Sequence, residues 1–141
     1  MDPITAVGFA ASILTFIDFS WGLITGACEV YKSTTGTTLE NAHISTIIED
    51  LERVTEGLIS DVEGRSSHEK ELCKLADNCQ KLSKDLFKIL KKLQVSEKNS
   101  KWQSFKVKFA SLRKGKEVAS IEDRLEKYRS QILLRLNYML R

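Results

Sequence analysis

The sequence predicts an all-α protein, a bundle of about five helices around a hydrophobic N-terminal helix. Apolar side chains recur three or four residues apart through most of the chain, the spacing that places them on one face of a helix. A single proline and seven glycines leave few of the turn signals that a many-stranded fold requires. With 141 residues, 42% apolar and 29% charged, the chain has the size and composition of one globular domain. We therefore expect a single helical domain over residues 1–141.

The first predicted helix covers residues 3–33 and is almost uncharged. Asp2 is a suitable N-cap, and Pro3 suits the first helical position, where its missing amide would be unpaired in any case. Small or polar residues form a narrow stripe on this apolar helix: Thr5, Gly8, Ser12, Thr15, Asp18, Gly22, Thr25, Glu29 and Lys32. A helix that is apolar over most of its circumference is usually enclosed by other helices, so we expect it at the centre of the bundle.

Four further helices are predicted at about residues 39–62, 67–94, 101–112 and 117–141. Thr37 and Glu40 have the spacing of a capping box at the start of the second helix. The solvent face of that helix is predicted to be acidic, through Glu49, Asp50, Glu52 and Glu56. Gly57 is predicted in its interior, where it would weaken the helix by about 1 kcal/mol relative to Ala.

The third helix has the most regular pattern, and Ser66 with Glu69 has capping-box spacing at its start. Its inner face follows the heptad spacing of helix bundles: Leu72, Leu75, Cys79, Leu82, Leu86, Ile89 and Leu93. Lysines cluster on roughly the opposite side: Lys70, Lys74, Lys81, Lys84, Lys88, Lys91 and Lys92. This helix is therefore predicted to present a long basic ridge.

The last two helices have clear inner faces of their own. The shorter one places Trp102, Phe105, Phe109 and Leu112 on one side. The final one buries Val118, Ile121, Leu125, Tyr128, Ile132, Leu136 and Met139. It reaches Arg141 without a glycine cap or a polar tail, so we expect the domain to be the N-terminal part of a longer chain.

Charge is strongly segregated along the chain, which carries a net charge of +3. Residues 1–64 contain two basic and ten acidic side chains, whereas residues 65–141 contain twenty basic and nine acidic ones. A basic surface attracts the phosphates of lipid or of nucleic acid. The candidate anionic-lipid ridge is Lys81, Lys84, Lys88, Lys91 and Lys92, at roughly 1 kcal/mol per basic residue near a membrane. The alternative is that these lysines form an ordinary solvated helix face that binds no lipid. Nucleic acid is not expected as a partner, because Trp102, Phe105 and Phe109 have core spacing rather than that of a stacking platform.

The sequence contains no pattern that predicts an enzyme, a cofactor or a metal site. The three cysteines, Cys28, Cys73 and Cys79, lack paired metal-ligand spacing, and no secretory signal precedes them, so reduced thiols in the cytosol are expected. Cys79 has a heptad core position and should be a buried thiol. His43 and His68 stand near predicted helix starts without a ligand pattern around them.

Three short segments carry a family resemblance: MDPITAVG at residues 1–8, FIDF at 16–19, and YKS at 31–33 before a glycine-containing turn. They resemble the HeLo-like domain at the N-terminus of fungal NOD-like receptors, which belong to the STAND proteins. The likeness continues more loosely through Glu40-Asn41, Asp50-Leu51 and the leucine-rich third helix, and so covers most of the chain. Its specificity lies in the first 33 residues.

The resemblance implies a helical bundle similar in plan to the four-helix domain of the mammalian necroptosis executioner. It also implies a cell-death effector of fungal innate-immunity signalling that targets and permeabilises membranes. In that family the domain is joined to a nucleotide-binding oligomerisation module or to an amyloid-forming motif, so a fused or partner nucleotide-binding receptor is an expected partner. The role that carries over is that of the N-terminal helix, residues 4–27, as the membrane-acting segment.

That segment is 24 residues long with one ionisable side chain, and as a helix it would extend about 36 Å against a hydrocarbon layer of about 30 Å. Its ten Ile, Val, Leu and Phe residues favour insertion by roughly 3 to 6 kcal/mol, and a central Asp18 opposes it by about 2.5 to 3.5 kcal/mol. Because these two contributions to the free energy of insertion nearly cancel, the segment fits a helix that enters a membrane only after activation. The candidate insertion residues are Ile4, Val7, Phe9, Ile13, Leu14, Phe16, Ile17, Asp18, Phe19, Trp21, Gly22, Leu23, Ile24 and Gly26.

Within that segment, two features have alternative interpretations. Asp18 is either an exposed stripe residue of the monomer or a pore-facing residue of an assembly. Gly22 and Gly26 either allow close helix approach in a membrane or are small residues beside a bulky neighbour.

Two functional hypotheses therefore stand at this point. In the first, self-association in a homo-oligomer releases the first helix into anionic membrane lipids, which moves the protein from the cytoplasm to the plasma membrane. In the second, the bundle is a protein–protein interaction or oligomerisation module without membrane activity, in which the acidic second helix and the basic third helix pair between copies.

Overall fold

The computed structural model describes residues 3–25, 42–59, 66–96, 101–102, 109 and 115–140. Within these ranges the chain is helical and contains no β-strand. The four helices are α1 (Pro3–Thr25), α2 (Ile44–Glu56), α3 (Ser67–Ser96) and α4 (Lys116–Met139). The predicted all-α class is confirmed. Most of the helix predicted at 101–112 lies outside the described residues, as do residues 26–33 of the predicted first helix.

Helix α1 is the central element, since it contacts each of the other three helices and packs most extensively on α4. Five of its large apolar side chains are completely inaccessible to solvent: Ile13, Phe16, Ile17, Leu23 and Ile24. The buried residues of all four helices, with Trp102 and Phe109, form one continuous hydrophobic core. The apolar circumference of α1 is therefore covered by its neighbours, as its sequence pattern predicts.

Helices α2 and α3 run antiparallel. The hydroxyl oxygens of Thr55 and Ser83 lie 2.8 Å apart across the interface. One turn along, the amide nitrogen of Gln80 donates to the carbonyl of Leu58 over 3.4 Å. Moving forward along the chain from Thr55 to Leu58 thus means moving backward along α3 from Ser83 to Gln80.

Helices α3 and α4 are also antiparallel. Near the middle of α3, Asp85 accepts a charge-assisted hydrogen bond of 2.8 Å from Arg124. At its start, His68 Nδ1 lies 3.3 Å from a guanidinium nitrogen of Arg135, and its ring lies 5.8 Å from that of Tyr138. The end of α4 is therefore held against the beginning of α3.

Helix α2 is shorter than predicted, beginning at Ile44 and ending at Glu56 rather than covering 39–62. Its N-cap residue, His43, is extended, with φ −71° and ψ 146°, and forms an isolated antiparallel bridge with Lys101. The amide of Trp102 donates to the carbonyl of Ala42 over 2.8 Å. This pairing with a distant segment takes the backbone at 42–43 out of the helix. The predicted capping pair Thr37 and Glu40 lies outside the described residues.

Gly57 is the C-cap of α2 rather than an interior residue, which corrects the expectation drawn from the sequence. Its φ of −65° is accessible to any residue, so this position does not require the backbone freedom of glycine. A Cβ atom at this position would lie 3.3 Å from the Cβ of Ser12 on α1. The missing side chain therefore allows α1 to approach the end of α2 closely.

The acidic face of α2 is also smaller than predicted. Glu49, Glu52 and Glu56 are exposed, but Asp50 is only 2% exposed and lies 3.7 Å from Arg53. Asp50 precedes the buried Leu51 and faces the bundle rather than the solvent. Three carboxylates, not four, therefore define the acidic surface of this helix.

Helix α3 agrees closely with its sequence pattern. The Ser66 hydroxyl accepts a hydrogen bond of 3.1 Å from the amide of Glu69, which confirms the predicted N-cap. The helix extends to Ser96, two residues beyond the prediction. All seven heptad residues are buried, with at most 5% exposure: Leu72, Leu75, Cys79, Leu82, Leu86, Ile89 and Leu93.

Candidate membrane-interaction surfaces

Most of the candidate insertion residues lie inside the bundle. Those that are buried are Phe9, Ile13, Phe16, Ile17, Phe19, Gly22, Leu23 and Ile24. Val7, Leu14, Asp18 and Trp21 are partly buried, whereas Ile4 is 86% exposed. Gly26 lies outside the described residues, so the Gly22–Gly26 pair has no structural description. By length and composition α1 could cross a membrane, although a buried core helix meets the same criteria.

The polar stripe of α1 is open to solvent only along the first part of the helix. Thr5, Gly8 and Thr15 are exposed and Ser12 is partly so, whereas Gly22 is fully covered. A Cβ atom added to Gly8 would meet no other atom within 4 Å. The second half of α1 is thus enclosed on nearly all sides, and the stripe does not form a continuous solvent face.

Three hydroxyl groups of α1 are satisfied within the helix itself. Ser12, Thr15 and Thr25 each donate to the carbonyl four residues earlier, over 3.1, 2.9 and 2.7 Å. Such bonds do not depend on any neighbouring helix. Moving α1 into lipid would therefore leave these hydroxyls paired, which lowers the cost of the polar stripe in a membrane.

Asp18 joins α1 to α4. Its carboxylate lies 3.7 Å from the guanidinium of Arg129, and both side chains remain partly exposed. Partial burial raises the pKa of Asp18 above its ordinary value of 3.8, and the positive charge of Arg129 opposes that rise. In the monomer, Asp18 is therefore an interhelical ion-pair partner whose side chain stays partly exposed.

The lysine ridge of α3 forms as predicted. At about 100° per residue, its seven lysines fall within an arc of roughly 100°, and every one is exposed. The exposed Asp77 interrupts the arc between Lys74 and Lys81, but the stretch from Lys81 to Lys92 is free of acidic residues on this face. Within the described ranges, none of the five lysines in that stretch forms an ion pair. The ammonium group of Lys91 lies 5.8 Å from the ring centre of Phe87.

An open groove between α2 and α3 was not apparent from the sequence pattern. Its volume is about 360 Å³, and it is lined by Glu52, Thr55, Glu56, Ile59, Gln80, Ser83, Lys84 and Phe87. Ile59 stands at its rim with 66% of its surface exposed, because α2 ends three residues earlier. The groove depends on the antiparallel register of the two helices, which no local pattern specifies.

The end of α4 exposes a second apolar surface, which we call the α4 end. Its members are Leu133, Leu134, Tyr138 and Leu140, with exposed fractions of 45% to 69%. The inner-face prediction for this helix holds otherwise, because Val118, Ile121, Leu125 and Ile132 are buried and Tyr128, Leu136 and Met139 pack against the core. Two adjacent leucines in an amphipathic helix were the only signal of this surface in the sequence.

The two described cysteines and the aromatic pair Trp102 and Phe109 lie in the hydrophobic core or pack against it. Cys79 is fully buried, and burial raises the pKa of its thiol to about 12. Cys73 is partly buried, and both are reduced thiols, while Cys28 lies outside the described residues. Trp102 and Phe109 are buried with ring centres 4.9 Å apart. In the part of the chain that the structure describes, no three His, Cys, Asp or Glu side chains are grouped as metal ligands.

Comparisons with known proteins add no relative to this description. No family model matches the chain, and neither the curated proteins nor the solved structures provide a match. The resemblance to HeLo-like domains therefore depends on the sequence segments quoted above.

Proposed function

We propose that this chain is a membrane-directed effector domain that holds α1 in its core at rest and releases it into an anionic bilayer after self-association. The observation that carries the proposal is the character of α1. It is the central core helix, it has one ionisable side chain within Ile4–Thr25, and three of its hydroxyls, those of Ser12, Thr15 and Thr25, are bonded internally.

Release of α1 into water would be costly. Fully burying one large aliphatic or aromatic side chain contributes about 1.5 to 3 kcal/mol, so the five completely buried side chains of α1 represent roughly 7 to 15 kcal/mol. That is similar to the whole stability of an ordinary domain. A hydrocarbon layer would restore most of this energy, so release is expected at a membrane and not in solution.

The lysine ridge supplies the attraction to the membrane. Its five lysines from Lys81 to Lys92 lie along about 16 Å of helix and point away from the core. Anionic headgroups can approach them without any rearrangement of the bundle. The ridge would therefore concentrate the folded protein on a negative surface before α1 moves.

The biological role that we attach to this activity follows from the sequence resemblance. It is that of a cell-death effector in innate-immunity signalling, cytoplasmic at rest and at the plasma membrane when active. A fused or partner nucleotide-binding receptor would impose self-association.

The geometry at Gly57 allows a direct test with a reversible tether. Because a Cβ at residue 57 would lie 3.3 Å from that of Ser12, a Ser12→Cys/Gly57→Cys variant is close to disulfide geometry. With oligomerisation enforced by a fused inducible module, we expect the oxidised variant to leave dye-loaded anionic liposomes intact and the reduced variant to permeabilise them. Ser12→Cys alone, under the same oxidant, is the matched control. Leakage that is equal in the oxidised and reduced forms would refute the release of α1.

The alternative is an interaction module that never enters lipid. The four exposed apolar side chains of the α4 end favour it, since exposed apolar surface often marks a protein contact. Concentration-dependent light scattering without liposome leakage would support this alternative.

A further inference from the structure

The α4 end and the α2–α3 groove are two unassigned surfaces with complementary character. The α4 end projects four apolar side chains from the last two turns of a helix. Residues 127–140 contain three basic residues and no acidic one. Arg129 pairs with Asp18 and Arg135 contacts His68, so Lys127 is the exposed positive charge left beside the apolar face.

The groove offers apolar surface beside an acidic edge. Ile59 and Phe87 provide the apolar surface, and Glu52 and Glu56 stand on the α2 side. The hydroxyls of Thr55 and Ser83 in its lining are already bonded to each other, so they require no ligand group. An amphipathic helix with apolar anchors and nearby positive charges suits such a groove.

The two surfaces of one molecule cannot meet. On α3, Asp85 faces α4, whereas Ser83 and Phe87, two residues before and after it, lie about 160° away around the helix. Helix α3 therefore stands between the groove and α4. The contacts of Asp85 with Arg124 and of His68 with Arg135 hold α4 on its own side.

We infer that the α4 end of one molecule docks in the α2–α3 groove of a second copy, head to tail. Such a contact uses different surfaces on the two partners and leaves one of each open, so it continues into a ring or a filament. Lys127, which shares a face of α4 with Leu134 and Tyr138, would lie towards Glu52 and Glu56 of the second copy, on the side away from Lys84. The inferred contact would provide the self-association that the proposed function requires, and its biological meaning rests on that function. The contact itself can be tested without a membrane.

Two exposed positions permit variants that should leave the fold unchanged. Leu134→Glu disables the α4 end, and Ile59→Glu disables the groove. Their side chains are 69% and 66% exposed in the monomer, so a charge at either one is tolerated. Ala119→Glu, at an exposed position in the first turns of α4, is the matched control.

The decisive experiment measures molar mass by light scattering for each variant and for their mixture. We expect the wild type and Ala119→Glu to associate progressively with concentration, and each disabling variant to weaken association roughly tenfold or more. Mixing Leu134→Glu with Ile59→Glu should give a complex of two copies, since one intact groove meets one intact α4 end. A patch that pairs with itself cannot produce this result.

Several outcomes would overturn the inference. These are a wild type that stays monomeric to several hundred micromolar, disabling variants that associate like the wild type, or a mixture that remains monomeric. If the wild type is monomeric and Leu134→Glu loses binding to anionic vesicles while Ala119→Glu does not, the α4 end contacts lipid instead. Oligomerisation enforced by a fused module does not need this interface. Leakage by a protein that does not associate on its own would therefore refute only the docking. Association without leakage would refute only the membrane function.

Discussion

The carboxylate of Asp18 lies 3.7 Å from the guanidinium of Arg129, and this ion pair joins the most apolar helix of the bundle to the helix that covers it most extensively. The same carboxylate is the main polar cost of placing α1 in lipid. Protonation of Asp18 would therefore both weaken its contact with α4 and lower the free-energy cost of inserting α1 into lipid.

We predict that permeabilisation of anionic liposomes increases as pH falls through the pKa of Asp18. Burial raises that pKa above 3.8, so the native state holds the proton at higher pH than the unfolded chain does. The contribution of Asp18 to folding stability is accordingly most favourable below about pH 3.8 and decreases as pH rises through the native pKa. Leakage assays between pH 4 and 7 should show Asp18→Asn active throughout and insensitive to pH in this window.

Arg129→Gln provides the companion measurement. Removing the positive charge should raise the pKa of Asp18 further, because Arg129 is the group that lowers it. The midpoint of leakage should then move to higher pH. A midpoint that stays unchanged in Arg129→Gln would show that a different group controls the pH dependence.

Substitution of two glycines by alanine should have opposite effects on stability. Gly8 is an exposed interior helix residue with open space around it, so Gly8→Ala should stabilise the fold by about 0.5 to 1 kcal/mol. Gly57→Ala would force α1 and α2 apart at Ser12 and should cost about 1 kcal/mol or more. Urea unfolding of both variants measures the difference, and a stabilising Gly57→Ala would contradict the close approach described here.

The capping serine of α3 should be worth about 1 kcal/mol. Its hydroxyl accepts a hydrogen bond of 3.1 Å from the amide of Glu69 in the first turn of the helix. Ser66→Ala should therefore lower the free energy of unfolding, whereas Ser67→Ala, at the neighbouring exposed position, should change it little. If both substitutions change the free energy of unfolding equally in chemical denaturation, Ser66 does not act as the cap.

These results separate what local sequence determines from what tertiary contacts determine. The buried face and N-cap of α3 follow from spacing alone, since each depends on residues within a few turns. The start of α2 could not be predicted, because residues 42–43 pair with residues 101–102 far along the chain. The role of Gly57 depends on Ser12 of another helix, and the groove depends on the register of α2 against α3.

The lysine ridge should govern binding to anionic vesicles before any insertion. Replacing Lys81, Lys84 and Lys88 with Gln removes three exposed charges that form no ion pair in the described part of the chain, and the packing of α3 should be unaffected. At roughly 1 kcal/mol per lysine, vesicle affinity should fall on the order of 100-fold at low ionic strength. The matched control replaces Lys101, Lys116 and Lys127, which are exposed and lie outside α3, and should retain most of the binding. Vesicle co-sedimentation across a salt series measures both variants, and the wild type should lose its advantage as salt screens the surface charge. Equal losses in the two triple variants would mean that net charge alone, and not the ridge, attracts the protein to the membrane.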